Sequence, residues 1–363
     1  MMEKAQIDGQ IRPFIAHLHA FRGIAIILIV AAHAWSLSIF WTGQLDSTGL
    51  TWLFAASETL FHGSTLLFAI ISGLLFSQVL HAQSWRRFYR SKVVNVVLPY
   101  CLMTLLITFY HWPQANPLAS PDFGHQLISN LFYGKASIQY WYIPVILVLF
   151  LLTPALSYLS ARPKYLAIVL VIALSPLIIT RSPFPDFLKP QTYGYFIGAY
   201  VLGLLMGQYY AQLQTWLARH SHSCLLAFIA ISAAIFLGYL NGYQASGWFS
   251  LRESLFYAQK VLLTGLVLLW LKRREDKDNH GDSPLDKGLT LLGNYAFAIY
   301  FLHLLFMAAF INLGHNLLAE QREASLLLGF GIISLVLSIL GSIMLSAVIK
   351  KLFKQHSRKL IGV

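Results

Sequence analysis

Long apolar runs separated by short polar stretches make up almost the whole chain. The runs cover about 19–40, 60–79, 93–110, 140–159, 164–180, 194–211, 224–240, 254–271, 291–312 and 325–350. Each is close to the ~20 residues that carry an α-helix across ~30 Å of hydrocarbon. In lipid the backbone must satisfy its own hydrogen bonds, and runs of this length do so as helices. The pattern predicts an all-α, polytopic membrane protein with about ten spans. The run at 164–180 is broken near its end by Pro176, which cannot continue a helix hydrogen bond. The apolar stretch 126–134 is too short to span and is expected at the interface or as a re-entrant piece.

Composition removes the alternative of a soluble globule. Of the residues 57% are hydrophobic and 11% charged, against about 25% charged in a soluble domain. No region has the make-up of a separate soluble unit, so 1–363 reads as a single membrane-embedded domain with no fused extracytoplasmic domain. The first apolar segment is too long for a cleaved signal and carries Arg22 and His33, so it reads as an anchor that stays.

Charge sets the orientation. With the N-terminus inside, nineteen of the 26 Lys and Arg residues fall in inner loops and tails, five in outer loops, and Arg22 and Lys260 in or beside spans. The positive-inside rule then places both termini in the cytoplasm. The net charge of +12 is accounted for by anionic membrane lipids on that face; no soluble basic domain is present to bind nucleic acid. Cys101 and Cys224 offer neither a disulfide framework nor metal spacing, and no metal is expected. The hydrophilic loop 272–288 reads as a solvated linker, and the basic amphipathic stretch 349–359 as a lipid-surface tail.

The candidate chemistry begins in FRGIAIILIVAAHAW, Phe21 to Trp35. Arg22 and His33 are eleven residues apart, near three helical turns, so they share one face about 16 Å apart along the axis. Ionisable groups inside a span are costly and mark functional sites; the structural alternative is an interfacial anchor and a satisfied interhelical hydrogen bond. Glu58 and His62 share a helix face if the helix starts by Ser57, with a solvated pair at a helix entrance as the alternative. Ser72-Gly73 suits close helix contact. Arg86, Arg87, Arg90 and Lys92 crowd one inner loop, either setting topology or gripping a phosphorylated cofactor through guanidinium forks. Tyr140, Trp141 and Tyr142 read as an outer aromatic belt. Lys260 reads as snorkelling or as buried with a partner. Tyr300 and His303, three apart near mid-span, add a second intramembrane histidine.

In order along the chain, FRGIAIILIVAAHAW, LLFAIISGLLF, RRFYRSKVVNVVLPY, WYIPVILVLFLLTP and LLGNYAFAIYFLH resemble the acyltransferase family 3 of integral-membrane O-acyltransferases. The elements that carry the likeness are Arg22 with His33, Ser72-Gly73, Arg87-x-x-Arg90 and Tyr300-x-x-His303. The resemblance implies transfer of an acyl group, with acetyl expected, from acyl-CoA to a carbohydrate or glycolipid hydroxyl. The setting expected is the bacterial cytoplasmic membrane, with a homo-oligomer or glycan-assembly proteins as further partners. It implies His33 and Arg22 as catalytic, with Arg87, Arg90 and Arg22 on the cofactor. Glu58, His62, Trp141, Tyr300 and His303 are expected on the acceptor. Where many polysaccharide-modifying members carry a glutamate-containing stretch near the fourth span, this chain reads Trp141-Tyr-Ile-Pro144, and no role transfers there. Histidine suits the base that activates a hydroxyl; a covalent acyl-histidine is the alternative route. The competing class is a transporter or lipid-linked-sugar flippase, which ten spans with buried His, Arg and Lys would also suit.

Overall fold

The computed structural model describes residues 6–7, 10–11, 16–40, 47–112, 121–182, 188–242, 249–277, 283–318 and 323–363. Apart from a two-residue antiparallel ribbon, Gln6–Ile7 with Gln10–Ile11, the described residues form helices and their connections. Among the described residues, eight helical segments are long and apolar enough to cross a membrane: Ala16–Ile39, Thr48–Leu80, Trp85–Tyr110, Ile138–Ser160, Tyr210–Leu240, Leu251–Lys277, Pro284–Gly314 and Ala324–Ile361. The protein is therefore a multi-pass integral membrane protein.

The two remaining expected spans take other forms. Helix α8, Leu166–Leu174, stops in a 3₁₀ turn at Ser175–Leu177, because Pro176 lacks the N–H that would continue it. Helix α9, Pro190–Gln208, is long but less apolar, and lies in the centre with Tyr195, Phe196, Ala199 and Tyr200 fully buried.

Several expected boundaries also shift. The loop expected before the second span contains α2, Thr48–Phe61, which hands over to α3, Thr65–Leu75, across Gly63 at φ +71°. Helix α4, Trp85–Lys92, continues through a π-helical segment, Val93–Val97, into α5, Leu98–Tyr110. The short apolar stretch becomes α6, Pro121–Tyr133, joined to α5 by an Asn130–Thr108 hydrogen bond of 2.9 Å. Helix α7 covers Tyr142–Ser160 and α10 Tyr210–Leu240. The linker expected at 272–288 is largely helical: α11, Leu251–Lys277, runs into it and α12, Pro284–Leu318, begins within it. An Arg274–Asp286 ion pair at 3.1 Å bridges the two.

The aromatic belt is a correction. Gln139, Tyr140, Trp141 and Tyr142 are all buried in the protein rather than at its rim. Burial is tolerated because the Tyr140 hydroxyl donates to the Phe301 carbonyl at 3.1 Å, while the rings pack on Tyr100, Phe196 and Phe301. The basic stretch 349–359 is mostly exposed. Helix α13, Ala324–Phe353, ends at Lys354, and α14, Ser357–Ile361, folds back against α5 and the π-helical segment.

Lipid supplies no hydrophobic drive between helices, so close packing must come from small residues. Gly23 of α1, Ala16–Phe40, and Gly293 of α12 provide it: a methyl on Gly23 would overlap the Leu289 carbonyl, and one on Gly293 the His19 carbonyl. Gly73 and Gly203 join α3 to α9 in the same way, against the carbonyls of Tyr200 and Ile70. We expect Gly23→Leu to lower the unfolding temperature of the detergent-purified protein by several degrees, since overpacking costs about 1–3 kcal/mol and backbone overlap more. An unchanged melting profile would show that α1 and α12 are not held by this contact.

Candidate functional site

The α1–α12 crossing places the first candidate groups. On α1 the stripe Leu18, Arg22, Ala25, Ile26, Ile29, His33 and Ser36 repeats at three- and four-residue spacing, one face of a helix. Leu18, Ala25, Ile26 and Ile29 are fully buried on it, whereas Arg22, His33 and Ser36 are half-buried. The surface these three retain therefore opens into the bundle rather than to lipid. Across the crossing, the His303 ring lies 5.4 Å from that of His33, centroid to centroid, tilted by 34°.

The His303 tautomer follows from a backbone contact. Nδ1 lies 2.8 Å from the Ile299 carbonyl; a carbonyl only accepts, so Nδ1 carries the proton. Nε2 is buried and has no hydrogen-bond partner among the described residues. Tyr300, one turn earlier, donates its hydroxyl to the Gln139 carbonyl and so fixes the segment entering α7.

At the expected inner end, the Arg22 guanidinium sits 5.5 Å over the Phe297 ring. Lys92 lies over Phe150 at 4.2 Å and Phe88 at 5.0 Å, within electrostatic reach of Arg22. Neither cation pairs with a carboxylate among the described residues. Arg86, Arg87 and Arg90 are exposed on α4 around this point.

At the opposite end a dense polar network ties five segments together. Glu58 accepts from Ser36 at 3.0 Å and Tyr239 at 3.1 Å, and pairs with His62 Nδ1 at 2.7 Å. Arg181 contacts the other His62 nitrogen and binds Glu253 at 3.0 Å. Burial disfavours the charged guanidinium, but Glu253 beside it prevails and raises Arg181 above its ordinary value. Lys260, buried to 1% exposure, donates to the Leu60 carbonyl at 2.9 Å. That carbonyl belongs to the last turn of α2, where no intrahelical donor is left and a cation is favoured. Lys260 is thus a buried lysine with a backbone partner, not a snorkelling one.

The structure brings together His33 with His303, Glu58 with His62, and Arg22 with Lys92 at the end of α4. It does not bring Arg22 to His33. Trp141 packs on Phe196, 5.7 Å between centroids, and Tyr300 is held by Gln139. Sequence reasoning missed Ser36, Arg181, Tyr239 and Glu253 as members of this network. Ser36 could have been found, because it follows His33 by three residues on the stripe; the others come from distant segments with no spacing signal. Among the described residues no cluster of three His, Cys, Asp or Glu side chains could hold a metal ion.

Residues 15–347 match the model of a protein family described as an acyltransferase domain. No curated protein and no solved structure matches the chain.

Proposed function

The chain belongs to this acyltransferase family, and from that premise we propose that it moves an acyl group, acetyl being the expected one, from cytoplasmic acyl-CoA to a hydroxyl of a surface sugar, polysaccharide or lipid-linked glycan. The setting proposed is the bacterial cytoplasmic membrane, with both termini in the cytoplasm as the charge bias requires. The observation that carries the reading is the meeting of His33 and His303 inside the bundle, on the stripe that also bears Arg22.

In the proposed reaction the acceptor oxygen attacks the thioester carbonyl as His33 takes its proton. The C–S bond then breaks, and the proton passes from His33 to the departing thiolate. His303, with Nδ1 tied to Ile299, offers Nε2 as an acceptor for the same hydroxyl or for a His33 N–H. The roughly 16 Å between Arg22 and His33 is more than one arginine side chain bridges. Arg22 is therefore read as a donor-binding group, not as a partner for the carbonyl oxygen at His33. Glu58 and His62 border the acceptor side; Trp141 and Tyr300, held by packing and a carbonyl, are read as its walls.

The test is CoA release from acyl-CoA by the purified protein. The reading expects release that requires an acceptor glycan. Glycan movement across vesicles without consumption of acyl-CoA would favour the transporter reading, which the family match does not support.

Arg87 and Arg90 are proposed to meet the phosphates of CoA. Charge-assisted hydrogen bonds are worth about 1.5–3 kcal/mol each, so Arg87→Ala or Arg90→Ala should weaken acyl-CoA binding about ten-fold or more. An unchanged affinity in the double variant would return these arginines to setting topology alone.

A further inference from the structure

Residues 348–363 lie beyond the family match, yet their end is built into the inner side of the bundle. The chain reverses at Lys354, a non-glycine residue at φ +46°, a conformation that persists only when surrounding contacts impose it. Ser357 and Ile361 are then buried to 1% and 2% exposure within a stretch whose other residues are mostly exposed. The Ser357 hydroxyl caps the turn at Lys354 O, 2.7 Å, and reaches Val363 O at 2.6 Å. Gly362, at φ +76°, closes α14 with its N–H on the Arg358 carbonyl at 3.1 Å.

Gly362 is one point where the tail touches the rest. A side chain there would stand 2.7 Å from the Asn95 carbonyl and 3.3 Å from Phe297 Cβ. Asn95 lies three residues after Lys92, in the π-helical segment that Lys92 opens onto. Phe297 carries the ring under Arg22. The tail therefore contacts the π-helical segment that follows Lys92 and the α12 turn whose Phe297 ring lies under Arg22. We propose that residues 354–363 are a latch on the donor site: they hold the Lys92 segment against the Phe297 turn of α12, and so keep Lys92 and Arg22 together as a two-cation site for a phosphate group of the acyl donor. Asn95, Ile361 and Gly362 are positioning residues in this arrangement, and Lys92 is a direct contact. The latch rests on the reading that acyl-CoA binds from the inner face.

The experiment measures binding of free CoA and of pantetheine, which lacks the phosphates, to the purified full-length protein and its variants. Steady-state kinetics and melting curves accompany it. Lys92→Ala should weaken CoA binding roughly ten-fold, the loss of one charge-assisted contact, and leave pantetheine unaffected. Gly362→Val and Ile361→Ser should do the same, with donor KM raised while acceptor KM and kcat at saturating donor stay at wild-type levels. Wild-type CoA affinity in Gly362→Val and Ile361→Ser, alongside a weakened Lys92→Ala, would overturn the latch and leave the cation site standing. Losses that fall equally on CoA, pantetheine and acceptor, in step with a lowered melting temperature, would overturn it too, as a purely structural role. No CoA binding by the wild-type protein would instead remove the donor reading, and the latch with it.

Discussion

His33→Ala is expected to lower acyl transfer by about 10²–10⁴-fold, the range that general-base catalysis contributes, while the protein still inserts and purifies normally. The expectation follows from the position of the ring. His33 is half-buried on the stripe it shares with Arg22 and Ser36, 5.4 Å from His303, and one turn from Ser36, which bonds Glu58. The substitution leaves untouched the close α1–α12 backbone approach, which is made ten residues away at Gly23 and Gly293. His303→Ala should be milder, because its Nδ1 is committed to the Ile299 carbonyl and only Nε2 is free to act. His62→Ala should be milder as well. If the two imidazoles act as one unit, the double variant His33→Ala, His303→Ala will be no worse than His33→Ala alone, as residues acting together are not additive. Most of the activity surviving in folded His33→Ala protein would remove the histidine from the mechanism.

What the sequence made legible was whatever has a period or a composition. The pairing of Arg22 with His33 on one face, and of Glu58 with His62, rests on spacings of eleven and four, which any helix preserves. The apolar runs were legible for the same reason. The meeting of His33 with His303 was not, since nothing in one strand of text fixes which helices cross. That information sits in Gly23 and Gly293, whose role shows only when the backbones touch. Trp141 and its neighbours misled because an aromatic cluster at the end of an apolar run looks the same at an interface and in a core; the deciding facts are the Phe301 carbonyl and the Phe196 ring, both distant in sequence. The network around Glu58 and His62 was missed in part for a related reason. Arg181 and Glu253 are 72 residues apart, and each alone reads as an ordinary loop or helix-end charge. The tail read as a lipid-surface element because its charges dominate its composition, whereas its fold depends on Ser357, Ile361 and Gly362.

The two substrates are expected to reach the protein from opposite faces of the membrane. Acyl-CoA is charged and made in the cytoplasm, so its nucleotide end must stay on that side of the hydrocarbon. Arg22, Lys92 and the exposed Arg87 and Arg90 gather at the end the charge bias assigns to the cytoplasm. His33 stands about 16 Å further along the same helix face, and Ser36 links it to the network of Glu58, His62, Arg181 and Glu253 at the other end. An extended pantetheine arm passing along this face would bring the thioester to His33 while the nucleotide remains at Arg87 and Arg90. The acceptor hydroxyl would then arrive from the outer side, past Glu58 and His62. In sealed vesicles of uniform orientation, product should therefore form when acyl-CoA is supplied on the cytoplasmic face and acceptor on the opposite face. Reversing the two should abolish it. Product that forms only with both substrates on the cytoplasmic face would overturn the through-membrane arrangement. The protein would then acylate a lipid-linked precursor before that precursor crosses the membrane.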